Sequence, residues 1–315
     1  MAGPSIPSPP LDRRGFLQRI GRGGLGAALV VAPGGGFAAG QARSSQSLRG
    51  TLEARVAATG ARGEARVWWS VDTDERVVGL TFDDGPHPDL TPQVLEILAR
   101  YEVRASFFAI GALVEAHPEL LAQVHEAGHE VANHTYHHVS AERMDRDEVL
   151  ATVERGADAV AEVLGDRPRW FRPVKGHVTG AVLRAAARVG HDLAIWSVSR
   201  GPRTSSDTDV DAVRDHLTTH HHEGAIVMLH DGVGRSALDP FGQSARLERR
   251  RATELAVLPE VIERWLADGY RLVTLSELVD QHHRPGRPPL DGSGGSAGDG
   301  RAAPAAGDAV ATSLD

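Results

Sequence analysis

Seven short apolar runs alternate with longer amphipathic stretches through the middle of this chain, and this alternation constrains the fold more than any other feature. The apolar runs lie at 77–82, 105–110, 130–132, 170–171, 193–196, 226–229 and 272–273. The amphipathic stretches lie at 91–101, 113–127, 146–164, 180–189, 210–219 and 252–267. Strand-then-helix repeats predict a parallel α/β architecture. Periodicity alone does not distinguish an open sheet from a barrel.

Length and composition limit the number of domains and the function classes. With 315 residues and 41% hydrophobic content, the chain can bury one sizeable core. We expect a single catalytic domain at 77–283, preceded by an extension at 43–76 and followed by a disordered, Gly/Ala/Pro-rich tail at 284–315. The net charge of −8 argues against a general nucleic-acid binder, and the absence of cysteine excludes disulfides and Cys-ligated zinc.

The first apolar run ends in two adjacent carboxylates, Asp83 and Asp84, followed by Gly85-Pro86. Side chains alternate along a strand, so both acids can point into one site only if the chain leaves β geometry there, and Gly-Pro allows this. One reading is a metal ligand beside a general base. The alternative is an acidic loop with a β-turn.

His134 and His138 provide a second candidate element. One helical turn or a compact loop can direct both imidazoles to one point, as transition-metal sites require. Two histidines and one aspartate leave coordination positions open for water and substrate, which is the arrangement of a catalytic site. The alternative is that a histidine-rich chain places two histidines close together by chance.

The apolar run at 226–229 ends in His230-Asp231-Gly232, much as the first run ends in Asp-Asp-Gly. Both runs read as buried parallel strands with polar chemistry at their carboxyl ends. His230 is therefore expected to face the same end of the sheet as Asp83. A histidine there can act as a general acid because its pKa lies near working pH, although a lone strand-end histidine is more often structural.

Four segments in order resemble the motifs of the polysaccharide deacetylases, also called the NodB-homology family or carbohydrate esterase family four. They are Thr81-Phe82-Asp83-Asp84-Gly85, His134-Thr135-Tyr136-His137-His138, Phe171-Arg172-Pro173-Val174-Lys175-Gly176 and Leu229-His230-Asp231. The resemblance covers roughly 77–278. It implies a distorted, incomplete (β/α)7 barrel whose site lies at the carboxyl ends of the strands.

The resemblance also implies a role for each matched residue. Asp83 would be the general base, oriented by Arg172, and His230 would be the general acid. The implied metal ligands are Asp84, His134 and His138. The mixed imidazole and carboxylate donors favour zinc, with cobalt or nickel as possible substitutes. The backbone N–H of Lys175 would help to hold the oxyanion.

The chain departs from the family pattern at two places. Lys175 stands where the family usually has an aromatic residue, which adds a cation and makes an anionic substrate more plausible. Ser199-Arg200-Gly201 stands where the fourth motif normally has an Asp-Trp pair. No partner for His230 is therefore identifiable, with Asp192 and Asp209 only as weak candidates. We expect an untuned acid that cleaves acetyl esters better than acetamido sugars.

Aromatic and apolar residues near the motifs are candidates for substrate contacts. Trp196 ends a motif-bearing strand and is expected to form a wall of the cleft. Leu229, in the last motif, is also predicted to contact substrate. Trp68 and Trp69 could stack on sugars, but covering the bottom or side of the barrel is the preferred reading.

The first 42 residues resemble a twin-arginine export signal. Arg13-Arg14 precede a short apolar stretch at 24–32, and cleavage is plausible near Gly40-Gln41-Ala42. The apolar stretch is too short for a lasting membrane anchor. The mature protein is expected to be secreted, or to lie on the periplasmic or cell-wall side of the membrane.

These features together predict an exported, metal-dependent deacetylase of N-acetylated or O-acetylated glycans, with peptidoglycan as the first substrate and chitin-like oligomers next. A deacylase of a small amide or ester on the same fold is one alternative. A carbohydrate-binding relic without activity is another, although the complete set of motif residues argues against it. The sequence leaves the oligomeric state open.

Overall fold

The computed structural model describes residues 56–57, 64–201, 209–234, 237 and 244–283. The predicted export signal at 1–42 and the predicted tail at 284–315 lie outside these residues. So does most of the predicted extension at 43–76. No helix among the described residues is long and apolar enough to cross a membrane.

Eleven strands are defined within the described residues. They are β1 (Val56–Ala57), β2 (Glu64–Ala65), β3 (Val67–Trp68), β4 (Val77–Asp83), β5 (Ser106–Ala109), β6 (Glu130–Asn133), β7 (Trp170–Phe171), β8 (Asp192–Ala194), β9 (Val198–Ser199), β10 (Ala225–His230) and β11 (Arg271–Val273). β1 and β2 form a small antiparallel pair, and the other nine strands form one sheet.

Eight α-helices are defined in the same residues. They are α1 (Leu90–Arg100), α2 (Gly111–Ala116), α3 (Pro118–Glu126), α4 (Arg146–Leu164), α5 (Gly180–Val189), α6 (Val210–His220), α7 (Ser244–Ala267) and α8 (Leu275–His282). Short 3₁₀ turns lie at Ala141–Arg143 and Val174–Gly176.

The large sheet is parallel throughout and runs in the order β3-β8-β7-β6-β5-β4-β10-β9. β11 pairs with the first three residues of β4, below the point where β5 pairs with the last three. The curled sheet forms a half-barrel covered by helices. This confirms the predicted α/β class and the distorted, incomplete barrel.

Alternation along β4 divides its side chains between two environments. Val78, Leu80 and Phe82 pack in the cluster between the sheet and the helices. The residues between them face the inside of the barrel, where Val77 packs against α8 residues such as Leu278. A Cβ on Gly79 would lie 3.0 Å from a Leu278 methyl group, so α8 packs closely against the strand there. Asp83 has the inward parity and ends this column.

Two short strands of the large sheet, β3 and β9, escaped the sequence prediction, as did β1 and β2, because two-residue strands carry no detectable periodicity. β3 pairs with β8, so the sheet begins before Val77, and β9 pairs with β10. Trp68 lies in β3 and is buried in the barrel cluster, which agrees with a packing role. The predicted helix at 113–127 is two helices, because Pro118 begins α3 after His117 leaves helical geometry.

Candidate active site

The acid pair lies at the carboxyl end of β4, in the middle of the sheet. Asp83 is the last residue of the strand, and Asp84 has a left-handed backbone conformation with φ 80°. Regular strand geometry would send adjacent side chains to opposite faces, and the left-handed residue removes that constraint. Both carboxylates are buried and each has its own partners.

The loop after β6 places two imidazoles beside Asp84. Asp84 Oδ1 lies 3.0 Å from His138 Nε2 and 3.7 Å from His134 Nε2. Thr135 and His138 both have positive φ, 70° and 52°, which lets the chain turn tightly between the two histidines. The Thr135 hydroxyl accepts a hydrogen bond from the His138 backbone N–H at 3.1 Å. A compact loop, rather than a helical turn, thus brings the predicted pair together.

Asn133 anchors this loop from the side of the sheet that faces α4. Its Oδ1 accepts a hydrogen bond from the backbone N–H of Thr135 at 2.9 Å. Its amide nitrogen donates to the backbone carbonyl of Val153 and lies 3.1 Å from His191 Nε2. Burial lowers the pKa of His191 to about 4, so this imidazole is neutral at pH 7 and can accept from Asn133.

His134 is held in the tautomer that a metal ligand needs. Its Nδ1 lies 2.8 Å from the backbone carbonyl of Arg172, so Nδ1–H donates and the lone pair of Nε2 faces Asp84. Burial lowers the pKa of His134 to about 4, against the opposing effect of Asp83. The imidazole is therefore neutral at physiological pH, as ligation requires.

Asp84 is ionised in this environment. Burial alone would raise its pKa, but His138, His230 and Arg251 lower it, and the net position of the Asp84 pKa is well below the usual range. The carboxylate therefore carries a negative charge at neutral pH.

Asp84, His134 and His138 fit a divalent metal by their chemistry. Their possible ligand atoms all lie within 4.8 Å of one another, and no other group of three such residues was found among the described residues. A buried carboxylate and two imidazoles, at least one of them neutral, are donors that zinc accepts. Three protein ligands also leave a position for water or substrate, as in catalytic sites.

Asp83 belongs to a different set of contacts, centred on the fully buried Arg172. Arg172 Nη1 donates to Asp83 Oδ1 at 2.5 Å and to the Thr81 hydroxyl at 2.9 Å. The other guanidinium nitrogens donate to backbone carbonyls at Ala194 and Ile195. The guanidinium plane also lies on the ring of Phe108, 3.9 Å from its centroid. Arg172 is thus rigidly fixed, and it fixes Asp83 in turn.

His230 has a carboxylate partner, contrary to the sequence expectation. His230 Nδ1 lies 3.0 Å from Oε2 of Glu254, a residue of α7 one turn before the buried Val257. An imidazole that donates Nδ1–H to a carboxylate is held in one tautomer and presents Nε2 outward. The expectation of an untuned acid with a preference for esters was therefore wrong in its premise.

The Glu254 carboxylate is itself held by two arginines. Its Oε1 lies 3.2 Å from Arg251 Nη1 and 3.0 Å from Arg200 Nε. Burial would raise the pKa of Glu254, but His230, Arg251 and Arg200 together lower it to about 2. Glu254 thus stays ionised beside His230 over the whole physiological range.

A signal for Glu254 was present in the sequence but carries no motif. Glu254 stands three and seven residues before Val257 and Val261, which are buried on one face of α7. A carboxylate in the apolar column of an amphipathic helix needs a buried partner. Which partner it meets depends on how α7 packs over the sheet, and the sequence does not show this.

Asp192 and Asp209, the weak candidates for the partner of His230, have other partners in the structure. Asp192 forms ion pairs with Arg66 at 3.1 Å and Arg169 at 3.4 Å, at the start of β8. Asp209 caps α6, where its side chain accepts from the backbone N–H of Ala212 at 3.1 Å. Neither forms a hydrogen bond or an ion pair with His230.

Trp196, which follows β8, lies against the turn after β7 that carries Lys175. Lys175 has φ 62° within the 3₁₀ turn Val174–Gly176 and is half-buried. A Cβ on Gly176 would lie 2.8 Å from the Trp196 ring, so the indole packs directly against the turn that carries Lys175. The Trp196 ring centroid is also 5.8 Å from the guanidinium carbon of Arg172.

Leu229 lies on the other side of the sheet from these residues. It is buried in the cluster between the sheet and the helices, together with Leu80 and Phe82. Side chains alternate along β10, so Met228 rather than Leu229 shares the face of His230. The structure therefore places Leu229 away from the face on which the prediction of a substrate contact depended.

Comparisons with known proteins agree with this arrangement. Residues 70–194 match the sequence model of the family described as polysaccharide deacetylase. The chain is 34% identical to a peptidoglycan-N-acetylglucosamine deacetylase of Bacillus cereus, over 69% of this chain and 94% of that protein. It is 40% identical to a chitooligosaccharide deacetylase of a Bradyrhizobium species, over 59% of this chain and 90% of that protein.

A solved structure shows the same fold. It is a pseudoenzyme of carbohydrate esterase family four from Bacillus anthracis, with a TM-score of 0.59 and 22% identity, covering 69% of this chain and 70% of that one. At this identity the likeness supports the architecture alone. The matches in sequence are what assign the family, and the chain belongs to the polysaccharide deacetylases.

Proposed function

We propose that this protein is an exported, metal-dependent deacetylase that removes acetyl groups from N-acetylated cell-wall glycan, with peptidoglycan as the first substrate and chitin-like oligomers as the second. The observation that carries this is the cluster of Asp84, His134 and His138 beside a second buried carboxylate, Asp83. The named activities of the curated relatives support the choice of glycans.

Zinc is the expected metal, with cobalt or nickel able to substitute. When bound by Asp84, His134 and His138, it would lower the pKa of a water molecule from about 15.7 toward ~7 and polarise the acetyl carbonyl. His134 and Asp84 are already in the protonation states that binding needs. No reorganisation of protons on these two side chains is therefore required.

Asp83 is expected to take the proton from the attacking water. One of its oxygens is held by Arg172, which leaves the other free to accept. The charged guanidinium keeps the carboxylate in one orientation. The backbone N–H of Lys175 is the candidate donor to the oxyanion of the tetrahedral intermediate, a contribution of roughly 2.7–4 kcal/mol per donor in other enzymes.

His230 is expected to protonate the leaving nitrogen as the carbon–nitrogen bond breaks. Its Nδ1 is committed to Glu254, so the proton leaves from Nε2. An amine needs this proton more than an alcohol does, because an amine anion is the poorer leaving group. The His230–Glu254 pair therefore supports cleavage of amides, and N-acetyl groups are the preferred substrate.

Export remains a proposal from the sequence of residues 1–42. Replacement of Arg13 and Arg14 by lysine should leave the precursor inside the cell, because the receptor of the twin-arginine pathway reads the arginine pair and not charge alone. Immunoblots of culture fractions would show this. Unchanged secretion of the double variant would overturn the proposed route.

The central test is acetate release from peptidoglycan and from N-acetylglucosamine oligomers. Chelator-treated protein should be inactive, and added zinc should restore activity. The Asp84→Asn variant should neither retain zinc nor release acetate, while replacement of the exposed Asp89 by asparagine should change neither. Glycan binding by the zinc-loaded protein without acetate release would instead support a carbohydrate-binding relic, and release from small amides or esters alone would support a deacylase.

A further inference from the structure

We propose that Arg251 is a positioning residue that joins Asp84 to the His230–Glu254 pair, so that metal binding and the acid side of the site are coupled. This coupling rests on the proposed function, because it takes Asp84 as a metal ligand. Arg251 is buried and lies on α7, one turn before Glu254.

Every guanidinium nitrogen of Arg251 has a partner. Nη2 donates to Asp84 Oδ2 at 2.8 Å, and Nη1 donates to Glu254 Oε1 at 3.2 Å. Nε donates to the backbone carbonyl of Gly232 at 2.6 Å. Gly232 lies directly against Asp84, since a Cβ there would lie 2.0 Å from the Asp84 carbonyl oxygen. The rigid plane of the guanidinium is thus fixed at three points.

The contacts divide each carboxylate in the same way. Asp84 gives Oδ2 to Arg251 and keeps Oδ1 toward His138 and His134. Glu254 gives Oε1 to Arg251 and keeps Oε2 toward His230. One guanidinium therefore contacts, on both sides of the site, the carboxylate oxygen that is turned away from the histidine; for Glu254 it shares that oxygen with Arg200.

This arrangement has a consequence for metal affinity. Without Arg251 the Asp84 carboxylate could rotate, and Oδ2 would lose a buried charged partner. Side chains that orient metal ligands typically change metal affinity or activity by about 10–100-fold when they are removed. An effect of that size is expected at this position.

The arrangement also has a consequence for the acid. A divalent cation at Asp84 would take up part of the negative charge of that carboxylate, so Arg251 would be attracted less strongly to Asp84. Glu254 is the other acidic partner of Arg251, and the balance between the two contacts would change. The position of Glu254, and through it of His230, should therefore respond to occupancy at Asp84. Arg200 secures Glu254 Oε1 independently, so loss of Arg251 should weaken the acid side without abolishing it.

Zinc titration of the full chain against a chromophoric chelator tests the proposal. For Arg251→Gln, the dissociation constant for zinc should rise by about 10–100-fold. Its kcat at saturating zinc should also fall, with a smaller change in KM. Arg251→Lys keeps the charge but lacks the planar fork, so its zinc affinity should be intermediate. Replacement of the exposed Arg249 on the same helix by glutamine should change neither quantity.

A double-mutant cycle tests the coupling itself. If Arg251 acts on the acid through Glu254, the losses of kcat in Arg251→Gln and Glu254→Gln at saturating zinc should not multiply in the double variant. Multiplicative losses would overturn the coupling. Thermal unfolding of each variant shows whether it is folded, and if Arg251→Gln does not fold, Arg251→Lys decides.

The outcomes separate this inference from the proposed function. Wild-type protein that binds zinc, with Arg251 variants that match it in zinc affinity and kcat, would overturn the role of Arg251 alone. Wild-type protein that binds no zinc would overturn the proposed metal dependence, and the role of Arg251 with it.

Discussion

The site has a base side, around Asp83, and an acid side, around His230, and the residues that support them come from different kinds of element. On the base side, Asp83 ends β4 and is held by Arg172, which follows β7, and both residues belong to motifs that are contiguous in sequence. On the acid side, His230 ends β10, but its partner Glu254 comes from helix α7. In both, a buried arginine fixes a carboxylate. The comparison shows that the chemistry of a strand end can be read from sequence, whereas the helix packed over it supplies support that cannot.

The sharpest difference should appear when each side is removed in turn. Asp83→Asn should lower kcat by about 10²–10⁴-fold, the usual contribution of a general base. The loss should be equal for amide and ester substrates, because both need an activated water. Acetate release from N-acetylglucosamine oligomers and from an aryl acetate would measure it.

The control for this variant is zinc affinity, which should stay near that of wild type because Asp83 is not an expected ligand. Loss of zinc from Asp83→Asn would show that Asp83 is a ligand rather than the base. Asp89→Asn, at an exposed position, controls for the loss of a negative charge.

The acid side should fail selectively. Glu254→Gln should lower kcat for N-acetyl substrates by about 10²-fold, the low end for acid–base catalysis, and change ester hydrolysis much less. Glutamine keeps the size of the side chain but cannot hold a cationic imidazole. Glu254→Asp should recover part of the activity on amides, and Glu260→Gln, exposed on the same helix, should behave as wild type.

Equal losses on amides and esters in Glu254→Gln would contradict this assignment. They would mean that Glu254 supports the fold of the site rather than the leaving-group proton of His230. Rescue by aspartate but not by glutamine separates the two roles, because only aspartate restores the charge.

How much the sequence could predict differs between the two sides for a physical reason. Strand-end motifs such as Asp83-Asp84 can be recognised because each is contiguous in sequence, and the carboxyl ends of parallel strands lie at one end of the barrel. Glu254 meets His230 only through the packing of α7, a tertiary fact. For Leu229 the alternation rule was sufficient, because a residue next to His230 in a strand points to the opposite face, and the pairing of Leu229 with Phe82 agrees with this.

The strands also differ in how well the sequence predicts them. Long runs such as β4 and β10 carry enough apolar residues to be recognised, whereas β3 and β9 are two residues long. Their pairing comes from the neighbouring strands and not from their own pattern.

Low pH should reduce the free energy of unfolding through His191, the neutral imidazole that accepts a hydrogen bond from Asn133 below the metal-site loop. Burial lowers the pKa of His191 to about 4 in the folded state, while the unfolded value is about 6.5. Between these values the unfolded chain binds more protons. The stabilisation is therefore complete above about pH 6.5 and is lost as the pH falls toward about 4, by about 2 kcal/mol at pH 5.

Urea unfolding of chelator-treated protein at pH 8 and pH 5 would measure this loss. His191→Gln keeps an acceptor for Asn133 but does not titrate, so its free energy of unfolding should fall less between the two pH values. His125, exposed at the end of α3, provides the matched control as His125→Gln. An equal fall in wild type and His191→Gln would rule out His191 as the source.

The smallest effect is expected at Lys175, because its backbone and not its side chain has an expected role in the reaction. It is the single lysine of the sequence, so an amine-reactive acetylating reagent modifies this side chain and otherwise only the chain's amino terminus. The expected oxyanion donor is the backbone N–H, and therefore Lys175→Ala should leave kcat on neutral oligomers unchanged. For glycans with carboxylates, KM should rise by up to about fivefold, the range of an exposed ion pair, and salt should reduce the difference.

Acetylation of Lys175, confirmed by intact-mass analysis, should have the same effect on KM as the alanine variant. Lys175→Arg should retain the preference for anionic glycans. A large loss of kcat on neutral oligomers in Lys175→Ala would instead place the side chain itself among the groups that act on the reacting amide.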